Sequence, residues 1–539
     1  MKAFTEPLLS LAGFEEMTKT AEKSSGLISV TGCIDAQKSQ MIYAFGGHRK
    51  NKLIVTFGEQ KAKELYDEYS FFDKEVVYYP SKDVLFYQSD IRGNLLTAER
   101  IRALKAIREQ ERVTLVTTFD ALMNTMAPIE KMWENVLTLE QGQLLDLKEI
   151  QAALIRMGYE KEYQVQTMGQ FSVRGGILDV FPLTEENPIR IELWGDEIDT
   201  IRYFDCESQK SIENTDRVSI YPAAELVLSD EEKAGGIEKL KAEAKRVSDK
   251  LRKQMKTEEA HRVTVMADEL TEEWGELSMY AGMDAFLSYF FDERVGLLDY
   301  FNPSDSLIFF DELTRCAEQG KLTETEFSES MKQRLAMGYI LPGQMNGLFT
   351  EKEIVAKLEK YSCIALGALD NKANGLHQLG SYGIHCQSVS PYNNSFELLI
   401  KDLKRYKKNG YRVILLSGSR TRAKRLSEDI TDQGITCFYT ENYDHELFEG
   451  QIMVCYGKVR RGFEYPILKF AVITESDIFG AQQKKKKRHR TYEGEKIQSF
   501  TDLSVGDYVV HENHGLGIYR GIEKLEVDKK VKDYIKIEY

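Results

Sequence analysis

The stretch Leu27-Ile-Ser-Val-Thr-Gly-Cys-Ile-Asp-Ala-Gln-Lys-Ser39 starts as an apolar strand and ends close to a phosphate-binding loop. Such a loop needs Gly, four residues, then Gly-Lys-Ser/Thr, so that backbone N–H groups and a lysine meet the phosphates. Gly32, Lys38 and Ser39 are in register, but Gln37 stands where the second glycine belongs. That glycine lets the backbone approach the anion closely. A glutamine side chain crowds the phosphate position, and Asp35 adds negative charge to the loop. The residues leave open a working ATP site and a degenerate one, and the two departures favour the degenerate one.

Outward from this loop, short apolar runs alternate with helical patterns. Lys52–Thr56, Glu75–Tyr79 and Arg112–Thr117 read as strands, and Glu59–Phe72 and Asn94–Gln110 as helices. In the second helix Leu95, Ala98, Ile101, Leu104 and Ile107 recur at near-helical spacing. Alternation of this kind predicts a parallel sheet with helical crossovers, here over residues 1–136. The texture then changes. Phe171-Ser-Val-Arg-Gly-Gly-Ile-Leu-Asp-Val-Phe181 and Ile189–Arg202, which pivots on Gly195-Asp196, carry hairpin signals. They predict an inserted antiparallel α+β module over 137–222. Residues 223–387 are helical and charged, then return to α/β character at Ser306-Leu-Ile-Phe-Phe-Asp-Glu312. A further α/β domain spans 388–480, with strands at Tyr411–Ser417, Gln451–Cys455 and Lys469–Thr474. A basic linker at 481–498 contains Lys484-Lys-Lys-Lys-Arg-His-Arg490, and 499–539 holds short glycine-punctuated β runs that predict a small SH3/Tudor-like barrel. That pattern is unfinished at Tyr539, which points to a truncated barrel and a piece of a longer protein.

The whole is thus a multidomain α/β chain. Its 539 residues suggest three to five domains, and 42% hydrophobic with 29% charged residues is a globular composition. A net charge of -14 excludes wholesale coating of nucleic acid, so DNA contact needs a local patch such as 484–490. A basic run is more often a solvated linker, and that reading is the first for this one. No run of 18 apolar residues occurs and the N-terminus lacks a secretory pattern, so no membrane partner and a cytoplasmic location are expected. Seven scattered cysteines without a CxxC pair read as reduced thiols, and no metal site is expected, His511 and His514 included. Asp311-Glu312 follows a strand as a magnesium-holding pair would, but acidic residues at a helix N-terminus look the same.

These motifs in this order resemble the bacterial transcription-repair coupling factors. Residues 1 to about 385 are similar to the module that family shares with the excision-repair protein UvrB, through Ser172-Val-Arg-Gly-Gly-Ile-Leu-Asp-Val-Phe-Pro182, Arg190-Ile-Glu-Leu-Trp-Gly-Asp-Glu-Ile-Asp199 and Leu297-Leu-Asp-Tyr-Phe301. Asp507-Tyr-Val-Val-His511 and His514-Gly-Leu-Gly-Ile-Tyr519 resemble its CarD-like RNA-polymerase-interacting domain. The resemblance implies a degenerate nucleotide site at Gly32, Gln37, Lys38, Ser39, Asp311 and Glu312. It also implies a UvrA-binding surface on the inserted module. Arg174, Phe181, Arg190 and Arg202 are its candidates, with Phe181 readable as anchor or core. Val510, His511, Glu512, Asn513, His514, Gly515, Leu516 and Gly517 are implied contacts for the polymerase β subunit. In the family a separate translocase motor uses ATP and magnesium and makes the main contact with double-stranded DNA, so this stretch is expected to carry no cofactor and no catalysis. The rival readings are an active UvrB-like ATPase and a CarD-like transcription regulator. Tyr78–Tyr87 runs almost directly into the Asn94 helix, leaving no room for a long damage-probing hairpin.

Overall fold

Ile28 and Val30 are β-branched, and the flanking residues Gly26 and Gly32 sit at left-handed φ of 133° and 78°, so the apolar run between them forms a strand bounded by sharp turns. A computed structural model describes residues 1–45, 49–82, 94–276, 283–369, 375–480, 508–511, 515–527 and 530–538. They fall into two units, Met1–Gly480 and Ala481–Tyr539.

In the first unit, Gly26–Thr31 lies within a seven-stranded sheet of order Gln378–Gly383, Gly26–Thr31, Ser362–Leu366, Ser306–Asp311, Asn51–Thr56, Val113–Thr118, Val77–Tyr79. Every pairing in it is parallel. Strands from before and after the inserted module therefore share one sheet. Side chains alternate between its two faces. Leu27, Leu53, Val55, Leu115, Ile308 and Phe310 enter one core. Ile28, Ile54, Val116, Leu307 and Phe309 enter another, which also takes in Ile414, Leu416, Met453 and Cys455 from the next sheet.

The Asn94–Glu109 helix buries Ala98, Ile101 and Leu104, but Leu95 is 67% exposed. Steps of three residues fall short of a 3.6-residue turn, so a stripe spaced this way drifts round the helix and its end leaves the core. The same helix buries Arg100 completely, its guanidinium paired to Glu225 and stacked on Tyr79 at 4.1 Å. The expectation about a missing hairpin falls on residues 83–93, outside the described residues.

The inserted module is a six-stranded sheet of order Ser211–Thr215, Glu197–Phe204, Ile189–Trp194, Ile177–Val180, Gln170–Arg174, Glu160–Lys161. Both expected hairpins form, closing at Arg174↔Ile177 and Trp194↔Glu197. Gly175 and Gly195 take left-handed φ at the two turns. Asp230–Lys253 and Thr257–Glu276 pack as a helical pair around Leu240, Val263 and the buried Trp274. The third sheet has Arg412–Ser417 between Phe470–Thr474 and Ile452–Tyr456, all parallel, with antiparallel strands added at one edge. Thus a parallel α/β framework with antiparallel insertions is what the chain adopts.

The second unit contains an antiparallel sheet of Tyr508–His511, Gly515–Val527 and Lys530–Glu538. Val509 and Tyr519 are buried within it. Across all described residues the seven cysteines are unpaired, and no helix is long and apolar enough to cross a membrane.

Candidate functional site

Three parallel strands of this sheet, the first separated from the other two by Ser362–Leu366, bring their carboxyl ends to one side, where ligands of such sheets usually bind. Gly26–Thr31 leads into the loop at Gly32 and then the Asp35–Phe45 helix, which carries Lys38. Ser306–Asp311 ends on Asp311, and Asn51–Thr56 on Thr56. Lys38 Nζ meets Asp311 Oδ1 at 2.5 Å, Asp35 Oδ1 at 3.0 Å and Glu312 Oε1 at 3.1 Å. Thr56 Oγ1 donates to the other oxygen of Asp311 at 3.2 Å. Burial opposes the charge on Lys38, yet the three carboxylates outweigh it and raise its pKa. Desolvation likewise opposes ionisation of Asp35, but Lys61 at 2.9 Å and Lys38 hold its pKa down at about 2.

The loop is closed as well as filled. A competent phosphate loop keeps its backbone N–H groups free for the anion. Here Gly32 N donates to Ala368 O at 3.2 Å and Cys33 N to Gly367 O at 3.0 Å. A Cβ on Gly32 would lie 2.1 Å from Ile384 O, so backbone already occupies the space above the loop. Gln37 is fully buried in the first turn of the helix, and burial pushes the neighbouring Cys33 thiol up to about 11. Glu312 takes a left-handed φ of 59° and caps this corner, its N–H donating to Leu366 O at 3.0 Å. These residues do not fit a nucleotide phosphate. Of the six positions singled out from the sequence, Lys38, Asp311 and Glu312 are joined by ion pairs, while Gly32, Gln37 and Ser39 stand in the loop and helix that carry Lys38. Thr56 and Lys61 were missed, since nothing local to them marks a neighbour that arrives from a distant strand. Among the described residues no group of His, Cys, Asp and Glu is arranged to hold a metal.

On the inserted module, Asp179 is almost fully buried between two arginines. Arg190 binds it through Nε at 2.7 Å and Nη2 at 2.8 Å, and Arg174 reaches the same carboxylate at 2.9 Å. Arg190 also stacks over Phe204 at 4.3 Å. Arg202 stands directly opposite Arg190 across the strands and pairs with Glu192. One face of the sheet thus gathers Arg174, Arg190 and Arg202, of which Arg174 is the most exposed, at 37%. Phe181, just beyond the Ile177–Val180 strand, is buried. Asp179, which organises the arginines, was missed. Its signal is the strand alternation that puts it opposite Arg190.

Residues 137–226 of this module match the family described as UvrB interaction domain, and residues 503–539 match the CarD-like/TRCF RID domain. The chain is 30% identical to the transcription-repair-coupling factor of Bacillus subtilis over 489 residues, 90% of its own length and 41% of that protein. It is 29% identical to that of Staphylococcus haemolyticus over 95% of its length, and 28% identical to that of Staphylococcus aureus (strain USA300) over 98%. The chain is similar to transcription-repair-coupling factors along nearly its whole length.

It spans about two-fifths of the length of these coupling factors, 41% to 44%. The coupling-factor match at the C-terminal end covers the strand pairs Val510↔Leu516 and His511↔Gly515, with Gly517 opposite Val509. Those pairs bring Val510, His511, Gly515, Leu516 and Gly517 together at the closed end of one hairpin. Glu512, Asn513 and His514 lie outside the described residues, as does the basic run 484–490.

Proposed function

We propose that this chain is the docking part of a transcription-repair coupling factor: it holds UvrA on the inserted module and RNA polymerase, through the β subunit, on the 499–539 segment. The nucleotide cradle turns over no ATP. The observation that carries this is the engagement of Lys38, the loop's own lysine, by Asp35, Asp311 and Glu312 in place of a phosphate. The matches to the UvrB interaction and CarD-like families support the two partners. Arg174 supplies the exposed guanidinium, suited to a carboxylate on UvrA. The strands Tyr508–His511 and Gly515–Val527 supply backbone edges of the kind that extend a partner's sheet. ATP, magnesium and the main grip on double-stranded DNA belong to the motor of the family, with residues 484–490 adding a salt-sensitive backbone contact. The protein works in the bacterial cytoplasm, in transcription-coupled nucleotide excision repair.

The test is a pull-down of this chain with UvrA and separately with RNA polymerase, alongside phosphate release with and without DNA. Capture of both partners with no release above background is the expected result. Turnover of about 1 per second that Lys38→Ala abolishes is the mark of the rival ATPase. Polymerase capture without UvrA is the mark of a CarD-like regulator.

A further inference from the structure

A second concavity lies at the opposite end of the same sheet, where the strands begin. It measures about 580 Å³, within the ordinary range for small-molecule sites. Asn51–Thr56 and Val113–Thr118 start at its floor, and the Lys2–Leu9 helix supplies one rim through Thr5 and Leu9. Arg49, Lys50, Lys52, Lys74 and Arg112 line it, against only two carboxylates, Asp73 and Glu75. A local charge of about plus three in a chain of net charge -14 is an anomaly that asks for an anion.

Two carboxylates against five cations leave the positive excess in place. Asp73 is taken up by Thr114 Oγ1 at 2.8 Å and by Glu75 N at 3.0 Å. Arg49 donates from Nη2 to the carbonyls of Ala21 and Glu22, at 3.0 and 2.7 Å. Lys52, at the floor, donates to the Tyr69 hydroxyl at 3.3 Å and lies 5.5 Å from the Tyr43 ring. Burial pushes it down to about 8 against the opposing pull of the Asp73 charge, and the nearby Arg112 adds to the fall. Tyr43 and Phe72, 5.5 Å apart, give the cavity an aromatic wall.

We infer that this cavity binds a small free phosphate-bearing anion, of the diphosphate or nucleotide class, with Lys52 and Arg112 as its main contacts. A concave site of this size suits a compact polyanion that enters it. A nucleic-acid backbone, which must stay continuous on both sides, suits an open groove. The inference is independent of the sealed cradle at Lys38 and of both docking surfaces.

Isothermal titration of the whole chain with pyrophosphate, at constant ionic strength, tests it. The expected result is one site with Kd below about 1 mM, weakened about tenfold or more in both Lys52→Gln and Arg112→Gln and unchanged in Lys239→Gln. Arg112 is exposed, so its variant keeps the test valid should Lys52→Gln fail to fold; circular dichroism checks both. A second arm uses oligonucleotides without terminal phosphates. No saturable pyrophosphate binding, binding indifferent to both substitutions, or oligonucleotide binding without pyrophosphate binding would each overturn the assignment.

Discussion

Lys38 Nζ lies 2.5 Å from Asp311 Oδ1, and both side chains are 1% exposed. A lysine at this place in a working phosphate loop answers to the nucleotide. Here it answers to a strand end that arrives from the far side of the inserted module. The cradle has kept its charges and turned them on each other, so it serves the sheet.

Removing that lysine costs stability instead of activity. Lys38→Met leaves Asp311 and Glu312 without their cation, a loss of about 3 kcal/mol for a broken buried pair. The double variant Lys38→Met/Asp311→Leu recovers most of it, because apolar replacement of both partners removes the stranded charge. Urea melts of the two proteins check the order.

Restoring the glycine does not restore the site. Gln37→Gly loses about 1 kcal/mol through helix propensity. It leaves Gly32 N and Cys33 N donating to Ala368 O and Gly367 O. Equilibrium dialysis with labelled ATP is expected to find no binding to this variant.

Gly32→Ala is expected to be among the most damaging small substitutions. It places a methyl 2.1 Å from Ile384 O at a φ of 78°, so sterics and backbone strain act together. A loss of about 3 kcal/mol follows from the two costs. The denaturation midpoint of the variant reads it directly.

Stability depends on pH through Glu68, which is buried and whose pKa is pushed up to about 7 against the charges of Arg460 and Lys61. The folded state holds this proton more tightly than the unfolded chain. Its contribution is therefore full below about pH 4.5 and is lost as pH rises to about 7, by on the order of 3 kcal/mol. Urea melts across that window are expected to show a slope that Glu68→Gln removes.

The arginines of the inserted module are expected to separate. Arg190 is bidentate on a buried carboxylate and stacked on Phe204, so Arg190→Ala costs about 3 kcal/mol. Arg174 makes one bond to Asp179 and is 37% exposed, so Arg174→Ala costs under about 1 kcal/mol. If Arg174→Ala leaves the melt intact and weakens UvrA capture, the docking surface runs through Arg174; an unchanged capture removes it from that surface.

Strands and turns were the legible part. Leu27–Val30, Lys52–Thr56 and Ser306–Asp311 lie within or coincide with strands, and both hairpins of the inserted module close at their glycines. Ser362–Leu366 and Gln378–Gly383 passed unread, though they flank Gly26–Thr31 on both sides. Gln378-Leu-Gly-Ser-Tyr-Gly383 is a polar, exposed edge strand held by its backbone, so it has no apolar pattern to find.

Residue order alone established that the phosphate loop departs from its motif, because that depends on which side chain stands at position 37. It also established the alternation that builds a parallel sheet and the glycine pivots that build an antiparallel one, since both are periodicities of adjacent residues. Only the tertiary structure decided what became of the loop. Its closure comes from Gly367, Ala368 and Ile384, and its counter-charges from Asp311 and Glu312, all far along the chain. A parallel sheet pairs strands that are remote in sequence, so the groups at its carboxyl ends meet only after the crossovers have packed, and no local pattern of residues announces that meeting.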